Sequence, residues 1–180
     1  MERGIDYKKL IRAIDFYEGY GYKYIEVPWT VSENIANITK PIEARNFYVN
    51  NKCLVASAEQ SFLELSINYN LLPGRYCSMT PAFRDEAVFD RLHAPYFMKL
   101  ELFQSIDVNF ENLAFMIDKA ERFFSQYCNT TKAITEDGFD INTQQGIELG
   151  SYGIREYNGF QWIYGTGCAE PRLTRAIIRT

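Results

Sequence analysis

Two segments of the sequence combine charged, aromatic and small residues at spacings that suit the binding of a phosphorylated ligand, and a third is a helix–strand unit. In the first, Arg84 and Glu86 are two residues apart, so on a strand both side chains point to the same face. The arginine offers a planar fork of donors that matches phosphate oxygens. Phe97, across a predicted hairpin, either stacks on a base or packs in the core. From spacing alone, a surface Arg–Glu pair beside a core phenylalanine is an equal alternative.

The second segment, 165–172, begins with Gly-Thr-Gly and ends at Arg172, in the first turn of a short predicted helix. Its small residues form a predicted loop that lets a ligand approach the backbone closely. It is not a dinucleotide-binding fingerprint, because Glu170 stands where the third glycine belongs. Cys168 is expected to pack there rather than to react. The third segment, 21–28, is a helix end that leads into a strand stopped by Pro28, a unit common to many proteins.

The predicted fold interleaves strand hairpins with few helices. Asp6 caps a helix that runs to Glu18, and two more helices cover about 57–70 and 110–127. This order favours an α+β fold, an antiparallel β-sheet flanked by helices, over a doubly wound parallel sheet. Strands are predicted at 22–27, 75–84, 96–106, 139–143, 146–152 and 160–164. The helix residues expected to face the core are Tyr7, Leu10, Ile11, Ile14 and Tyr17, then Phe62, Leu65 and Tyr69, then Leu113, Met116, Ile117, Ala120 and Phe124.

Composition limits the class of protein. The 180 residues are 47% hydrophobic with a net charge of −4, which favours one globular domain over residues 1–180 and excludes a disordered or collagen-like chain. No run of Lys and Arg marks a nucleic-acid-binding arm, although a local basic groove stays open. The four cysteines include no C-x-x-C pair and His93 is the one histidine, so no structural zinc site is predicted. Without a signal peptide or a stretch of ~18 apolar residues, we expect a soluble cytoplasmic protein with free thiols and no membrane contact.

Taken in order, these segments resemble the catalytic domain of class II aminoacyl-tRNA synthetases, in the subgroup with the seryl, prolyl, threonyl and histidyl enzymes. The seryl type is the nearest match. Residues 21–28 resemble motif 1, 83–101 resemble motif 2 and 164–172 resemble motif 3. Between them, 57–59 (Ser-Ala-Glu) resemble the T-x-E segment, and 148–151 (Glu-Leu-Gly-Ser) resemble the acidic strand that binds ATP-linked magnesium. Each motif is degenerate, but five in the family's order make a specific pattern.

The resemblance implies a role for each matched residue. Arg84 would hold the α-phosphate of ATP, and Arg172 would cover one adenine face and reach the γ-phosphate, so these two arginines would be the catalytic pair. Glu59 would pair with the substrate ammonium and Glu101 would face the amino-acid pocket. The remaining ATP-site residues implied are Glu86 on the adenine amino group, Phe97 stacked on adenine, Arg91 or His93 on the γ-phosphate, Gly167, and Glu148 with Ser151 on Mg²⁺; Ser57 and Gly165 complete the amino-acid site.

The activity implied is the formation of an aminoacyl adenylate from ATP and an amino acid, followed by transfer to an acceptor. Segment 5–30 would build a homodimer. No anticodon-binding or editing domain is expected, and the net charge of −4 favours a carrier protein, another protein or a small molecule over tRNA as the acceptor. A non-catalytic, regulatory paralogue and a subunit that works beside a larger tRNA-binding protein stay open. Two residues also keep two possible roles each. His93 is either a structural or solvated residue or a contact of the γ-phosphate, and Arg155 is either a solvent-facing charge or a substrate contact.

Overall fold

The computed structural model of the protein describes residues 4–85 and 95–178, which fold around one large sheet. The helices are α1 (Tyr7–Glu18), α2 (Glu33–Thr39), α3 (Ala58–Asn68), α4 (Phe110–Phe124) and α5 (Arg172–Ile177). The strands are β1 (Lys23–Tyr24), β2 (Thr30–Val31), β3 (Tyr48–Val49), β4 (Lys52–Leu54), β5 (Arg75–Phe83), β6 (Tyr96–Gln104), β7 (Thr130–Thr135), β8 (Gly138–Thr143), β9 (Glu148–Tyr157) and β10 (Phe160–Glu170). No helix among these residues is long and apolar enough to cross a membrane.

The main sheet has seven strands in the order β1-β5-β6-β10-β9-β8-β7. Every neighbouring pair is antiparallel except β1 with β5. The pairing of β5 with β6 runs from Arg75 opposite Gln104 to Phe83 opposite Tyr96, which is the long hairpin that the two extended runs predicted. The predicted α+β fold, an antiparallel sheet flanked by helices, is therefore confirmed, with one parallel pair at its edge.

Helices cover both faces of this sheet. Successive side chains of a strand point to opposite faces, and on β6 the buried Leu102 packs in one apolar cluster while Phe103 packs in another. The first cluster joins the sheet to α1, α4 and α5, and the second joins it to α2 and α3. The four cysteines are free thiols, three of them buried.

The helix faces follow the predictions in part. Asp6 caps α1 by accepting hydrogen bonds from the backbone N–H groups of Lys8 and Lys9, at 3.0 and 3.4 Å. The buried stripe of α1 is narrower than predicted, because Tyr7 and Ile11 are 50% and 53% exposed. On α3, Phe62 is buried and Leu65 partly buried, whereas Tyr69 is exposed, because the helix ends before it. All five residues predicted to face inward on α4 are buried.

Several short elements were not predicted. Strands β2, β3 and β4 form a separate three-stranded sheet. These strands and helix α2 are too short to show a clear hydrophobic period. Strand β7 lies at the sheet edge with mostly exposed side chains, so it lacks the apolar alternation of a half-buried strand. The predicted strand 22–27 shortens to β1, although Ile25 still donates its N–H to Cys77 O at 3.1 Å.

The predicted loop 165–167 is wrong: strand β10 continues through it to Glu170. A side chain at Gly165 would project into the core, with its Cβ 2.6 Å from Met116 Sδ and against the Tyr152 ring. A Cβ at Gly167 would lie 3.0 Å from carbon atoms of Leu100 and Tyr17. These glycines allow close packing on the α1 and α4 side of the sheet, so their presence does not mark a turn.

Candidate active site

A cavity of about 420 Å³ opens on the α3 side of the main sheet. Its walls come from α3, the strands β6, β9 and β10, and the segments 39–47 and 83–85. The predicted site residues that line it are Ser57, Glu59, Arg84, Glu148 and Ser151. The cavity therefore gathers one residue or more from the T-x-E-like segment, the motif 2-like hairpin and the acidic strand.

The lining carries more positive than negative groups. The cations are Lys40, Arg45, Arg84, Lys99 and Arg155, and the carboxylates are Glu59, Asp85 and Glu148. Arg45 donates to Asp85 from Nε and Nη2, at 3.0 and 2.8 Å, and this contact lowers the pKa of Asp85 to about 2. Arg45, Lys99 and Arg155 are each paired with a carboxylate, so the excess positive charge of the lining comes from Lys40 and Arg84.

Arg84 lies at the rim of the cavity, just after β5. Its guanidinium carbon is 5.4 Å from the centroid of the Phe97 ring, within the range of a cation–π contact. The Arg84 backbone N–H donates to Pro95 O at 3.1 Å, which closes the described end of the hairpin. The arginine predicted to hold phosphate and the ring predicted to stack on a base thus lie against each other, with the Arg84 side chain exposed.

Glu59, in the first turn of α3, is 5% exposed and fully engaged within the protein. Both of its carboxylate oxygens accept from Arg155 Nη1, at 2.8 and 2.7 Å. Oε1 also accepts from the indole N–H of Trp162 at 2.7 Å. Arg155 and Trp162 are opposite each other on β9 and β10, so two adjacent strands converge on this carboxylate. Arg155 is thus an ion-paired member of the cavity wall, with its side chain 35% exposed.

Glu101 is fully buried beneath the cavity rather than in its lining. Burial raises the pKa of this carboxyl group, and the ammonium of Lys99, 2.8 Å from Oε2, opposes that rise. Lys99 itself reaches the cavity. Lys99 was not among the predicted site residues, although its place between Phe97 and Glu101 at alternate positions of β6 puts the three side chains on one face.

Glu148 begins β9 and lies beside Arg172, which begins α5; Nη1 of the arginine is 3.2 Å from Oε1. The Glu148 side chain is 46% exposed, and Ser151 lines the same cavity. One exposed carboxylate and a hydroxyl in the cavity lining are hard oxygen donors of the kind that Mg²⁺ takes together with substrate phosphates. These residues fit the predicted metal, although the described part of the chain holds no cluster of three or more Asp, Glu, His or Cys side chains.

The other predicted site residues lie elsewhere. Gly165 faces Met116 in the core, on the opposite face of the sheet from the cavity. Gly167 lies in the same core, where its carbonyl accepts a hydrogen bond from the Tyr17 hydroxyl at 3.0 Å. Glu86, Arg91 and His93 lie outside the described residues.

No protein-family model matches the sequence, and no curated protein sequence matches it. Solved structures do. A seryl-tRNA synthetase from Pyrococcus horikoshii, complexed with ATP, matches with a TM-score of 0.74 at 20% identity, over 93% of this chain and 49% of that one. A cytoplasmic serine-tRNA ligase from Naegleria fowleri, in complex with AMP, matches with a TM-score of 0.69 at 20% identity, over 93% and 52%.

A pyrrolysyl-tRNA synthetase from Desulfitobacterium hafniense matches with a TM-score of 0.66 at 18% identity, over 96% of this chain and 66% of that one. The chain thus spans about half the length of the seryl enzymes that it matches. Its fold is that of the class II aminoacyl-tRNA synthetase catalytic core, as the five sequence motifs predicted.

Proposed function

We propose that this chain, which has the fold of a class II synthetase catalytic core, activates a carboxylic substrate with ATP by forming an acyl adenylate, an amino acid being the expected substrate. The observation that carries the proposal is the convergence of Arg84, Glu148, Ser151 and Arg155 on one cation-rich cavity. The structural neighbours complexed with AMP and ATP support nucleotide binding at this fold.

The reaction needs alignment and charge neutralisation more than a general base, because a carboxylate is already ionised near neutral pH. One carboxylate oxygen attacks the α-phosphorus of ATP. The new bond is the mixed anhydride, and the bond from that phosphorus to its bridging oxygen breaks, so pyrophosphate leaves with the electron pair. Arg84 at the cavity rim holds the α-phosphate and offsets the negative charge that grows on it.

The nucleotide is held by the neighbours of Arg84. Phe97 presents an aromatic face to the base once Arg84 turns from the ring to the phosphate. Arg172, anchored by Glu148, covers the nucleotide from α5. Glu148 and Ser151 would hold Mg²⁺, which when bound would neutralise phosphate charge.

The proposal extends to the oligomeric state of the protein and to the acceptor of the acyl group. Residues 1–180 act as one catalytic domain, and two copies associate through segment 5–30, where Tyr7, Ile11 and Trp29 are at least half exposed. The acyl group passes to a carrier protein, another protein or a small molecule, since a chain of net charge −4 has no general attraction for the tRNA backbone.

Substrate-dependent exchange of labelled pyrophosphate into ATP tests the function. We expect exchange with magnesium and the correct acid, and a loss of roughly 100- to 1,000-fold in Arg84→Ala with the melting temperature unchanged. Arg122→Ala is the matched control, because Arg122 is an exposed arginine of α4 paired with Asp118. Exchange that survives in Arg84→Ala would overturn the site, and no exchange with any acid would overturn the reaction.

The contact of Arg84 with Phe97 favours a second candidate, a regulatory paralogue that binds nucleotide without chemistry, because it holds the cation needed at the α-phosphate against the ring instead. Equilibrium dialysis against ATP separates the two candidates. Binding without exchange for every acid tried would favour the paralogue.

A further inference from the structure

Arg155 is held in the cavity wall with only part of its hydrogen-bonding capacity used. Its guanidinium carbon is 3.9 Å from the centroid of the Tyr164 ring, and Nη1 donates to both oxygens of Glu59. Among the described residues, neither Nε nor Nη2 makes a hydrogen bond. The side chain is 35% exposed and lines the cavity. The ring and the carboxylate therefore fix the plane of the guanidinium and leave one edge unused.

That edge has the geometry of a carboxylate receptor. The Nε and Nη2 hydrogens of a guanidinium point the same way and match the two oxygens of a carboxylate. Because Glu59 and Tyr164 already fix the group, little side-chain entropy is lost when it binds a ligand.

The carboxylate of Glu59 is less suited to the substrate ammonium. It is 5% exposed and already accepts from Arg155 and from Trp162. An incoming ammonium would have to separate a buried ion pair, which costs several kcal/mol when one charge is left without its partner. Arg155, and not Glu59, is therefore the group of this ion pair that binds the substrate.

We propose that Arg155 binds a second carboxylate of the acid that is activated, so the substrate is an acidic amino acid or an unaminated dicarboxylic acid. This assignment rests on the proposed function and names its substrate class. The first carboxylate goes to the α-phosphorus, and the second lies on the Nε–Nη2 edge of Arg155.

The charges around Arg155 agree with an anionic ligand. Glu59 is neutralised by Arg155 itself, and Glu101 beneath the cavity has Lys99 as its counter-ion. With these two pairs neutral, Arg84 adds a positive charge to the same lining. A neutral substrate would exclude water from the free edge without replacing its hydrogen bonds, and a cationic side chain would be repelled.

The experiment is pyrophosphate exchange with L-aspartate, L-glutamate, succinate and glutarate, compared with L-serine, L-alanine and L-lysine. We expect exchange with the acidic group alone. Arg155→Gln should lower kcat/KM for the acidic substrate roughly 10- to 100-fold, mainly through KM, because a charge-assisted contact to the substrate is lost. Arg155→Lys should recover part of the loss as a point charge.

Arg75→Gln is the matched control. Arg75 also lies over an aromatic ring, that of Phe115 at 4.9 Å, and donates hydrogen bonds to Gln104 and Asn112, but it does not line the cavity. The double variant Arg155→Met with Glu59→Gln removes both buried charges together and guards against misfolding of the single variants. It should keep the fold and lose the acid preference.

Exchange with neutral amino acids alone would overturn the assignment and leave the proposed function standing, whereas silence with every acid would overturn both. If Arg155→Gln lowers kcat/KM equally for all substrates and also lowers the melting temperature, Arg155 has a structural role only. That result would also overturn the assignment. Comparison of glutamate with glutarate, and of aspartate with succinate, decides whether the α-amino group is required.

Discussion

Glu148 and Arg172 join the start of β9 to the start of α5 through one contact, 3.2 Å from Nη1 to Oε1. The residue expected to hold the metal and the residue expected to cover the nucleotide are thus positioned by each other. A substitution of either residue should therefore affect both metal binding and nucleotide binding.

Replacement of Glu148 by glutamine keeps a hydrogen-bond acceptor for Arg172 but removes the negative charge. We expect a loss of roughly 100-fold or more in exchange, and a higher magnesium concentration at half-maximal rate. Magnesium titrations of the exchange rate measure both. Glu156→Gln, on the same strand and outside the cavity lining, should behave like wild type.

Lys99 is the counter-ion of a buried carboxylate, so its removal should destabilise the fold. Lys99→Met leaves Glu101 without its cation and should lower the free energy of unfolding by about 3 to 5 kcal/mol in urea titrations. Adding Glu101→Gln to Lys99→Met should restore most of the lost free energy of unfolding. Lys132→Met breaks a pair of the same 2.8 Å length on the surface, with Glu121, and should cost less than about 1 kcal/mol.

The packing of β10 predicts that Gly165→Ala is destabilising. The new methyl group would overlap the Tyr152 ring and Met116, and such overpacking costs about 1 to 3 kcal/mol. Thermal unfolding measures the loss. Gly4→Ala is the control, because a Cβ there meets no atom within 4 Å; equal melting temperatures for the two variants would contradict the packing.

Glu170 predicts a pH dependence of stability. Burial raises the pKa of this carboxyl group above its usual 4.5, although Thr174 and Lys9 partly oppose the rise. The folded state therefore binds the proton more tightly than the unfolded chain, so the stabilising contribution is full below pH 4.5 and lost as the pH rises through the raised pKa. Urea titrations between pH 4 and 8 should show wild type losing stability relative to Glu170→Gln, and parallel curves would contradict this.

The proposed homodimer predicts an effect of Ile11→Glu. This side chain is 53% exposed on α1, so a charge there costs little in the monomer but opposes burial in an interface. Light scattering should show a dimer for wild type and a monomer for Ile11→Glu. Ile134→Glu, on edge strand β7 where Ile134 is 84% exposed, should leave the mass unchanged.

The parts of the fold that the sequence predicted are those with strong local patterns. The β5–β6 hairpin follows from two extended runs joined by a charged loop, and α4 from a regular 3.6-residue period. Gly165 was misassigned because a glycine indicates a turn or a close approach equally well, and only Tyr152 and Met116 decide between them.

The candidate site was predictable where a motif names the residue, as for Arg84 and Glu148. Arg155 could not be assigned, because its partner Glu59 is 96 residues away along the chain and no local pattern links them. Lys99 was within reach, since alternation along β6 puts it on the same face as Phe97 and Glu101.

Strand β10 carries the cavity on one face, through Tyr164 and Thr166, and the main core on the other, at Gly165. A single inserted or deleted residue before Tyr164 would exchange the two faces and turn the binding groups into the core. Among related sequences, the length of β10 should therefore stay constant. Insertions should instead collect in the turn between β9 and β10, at Asn158 and Gly159, where the backbone already has positive φ.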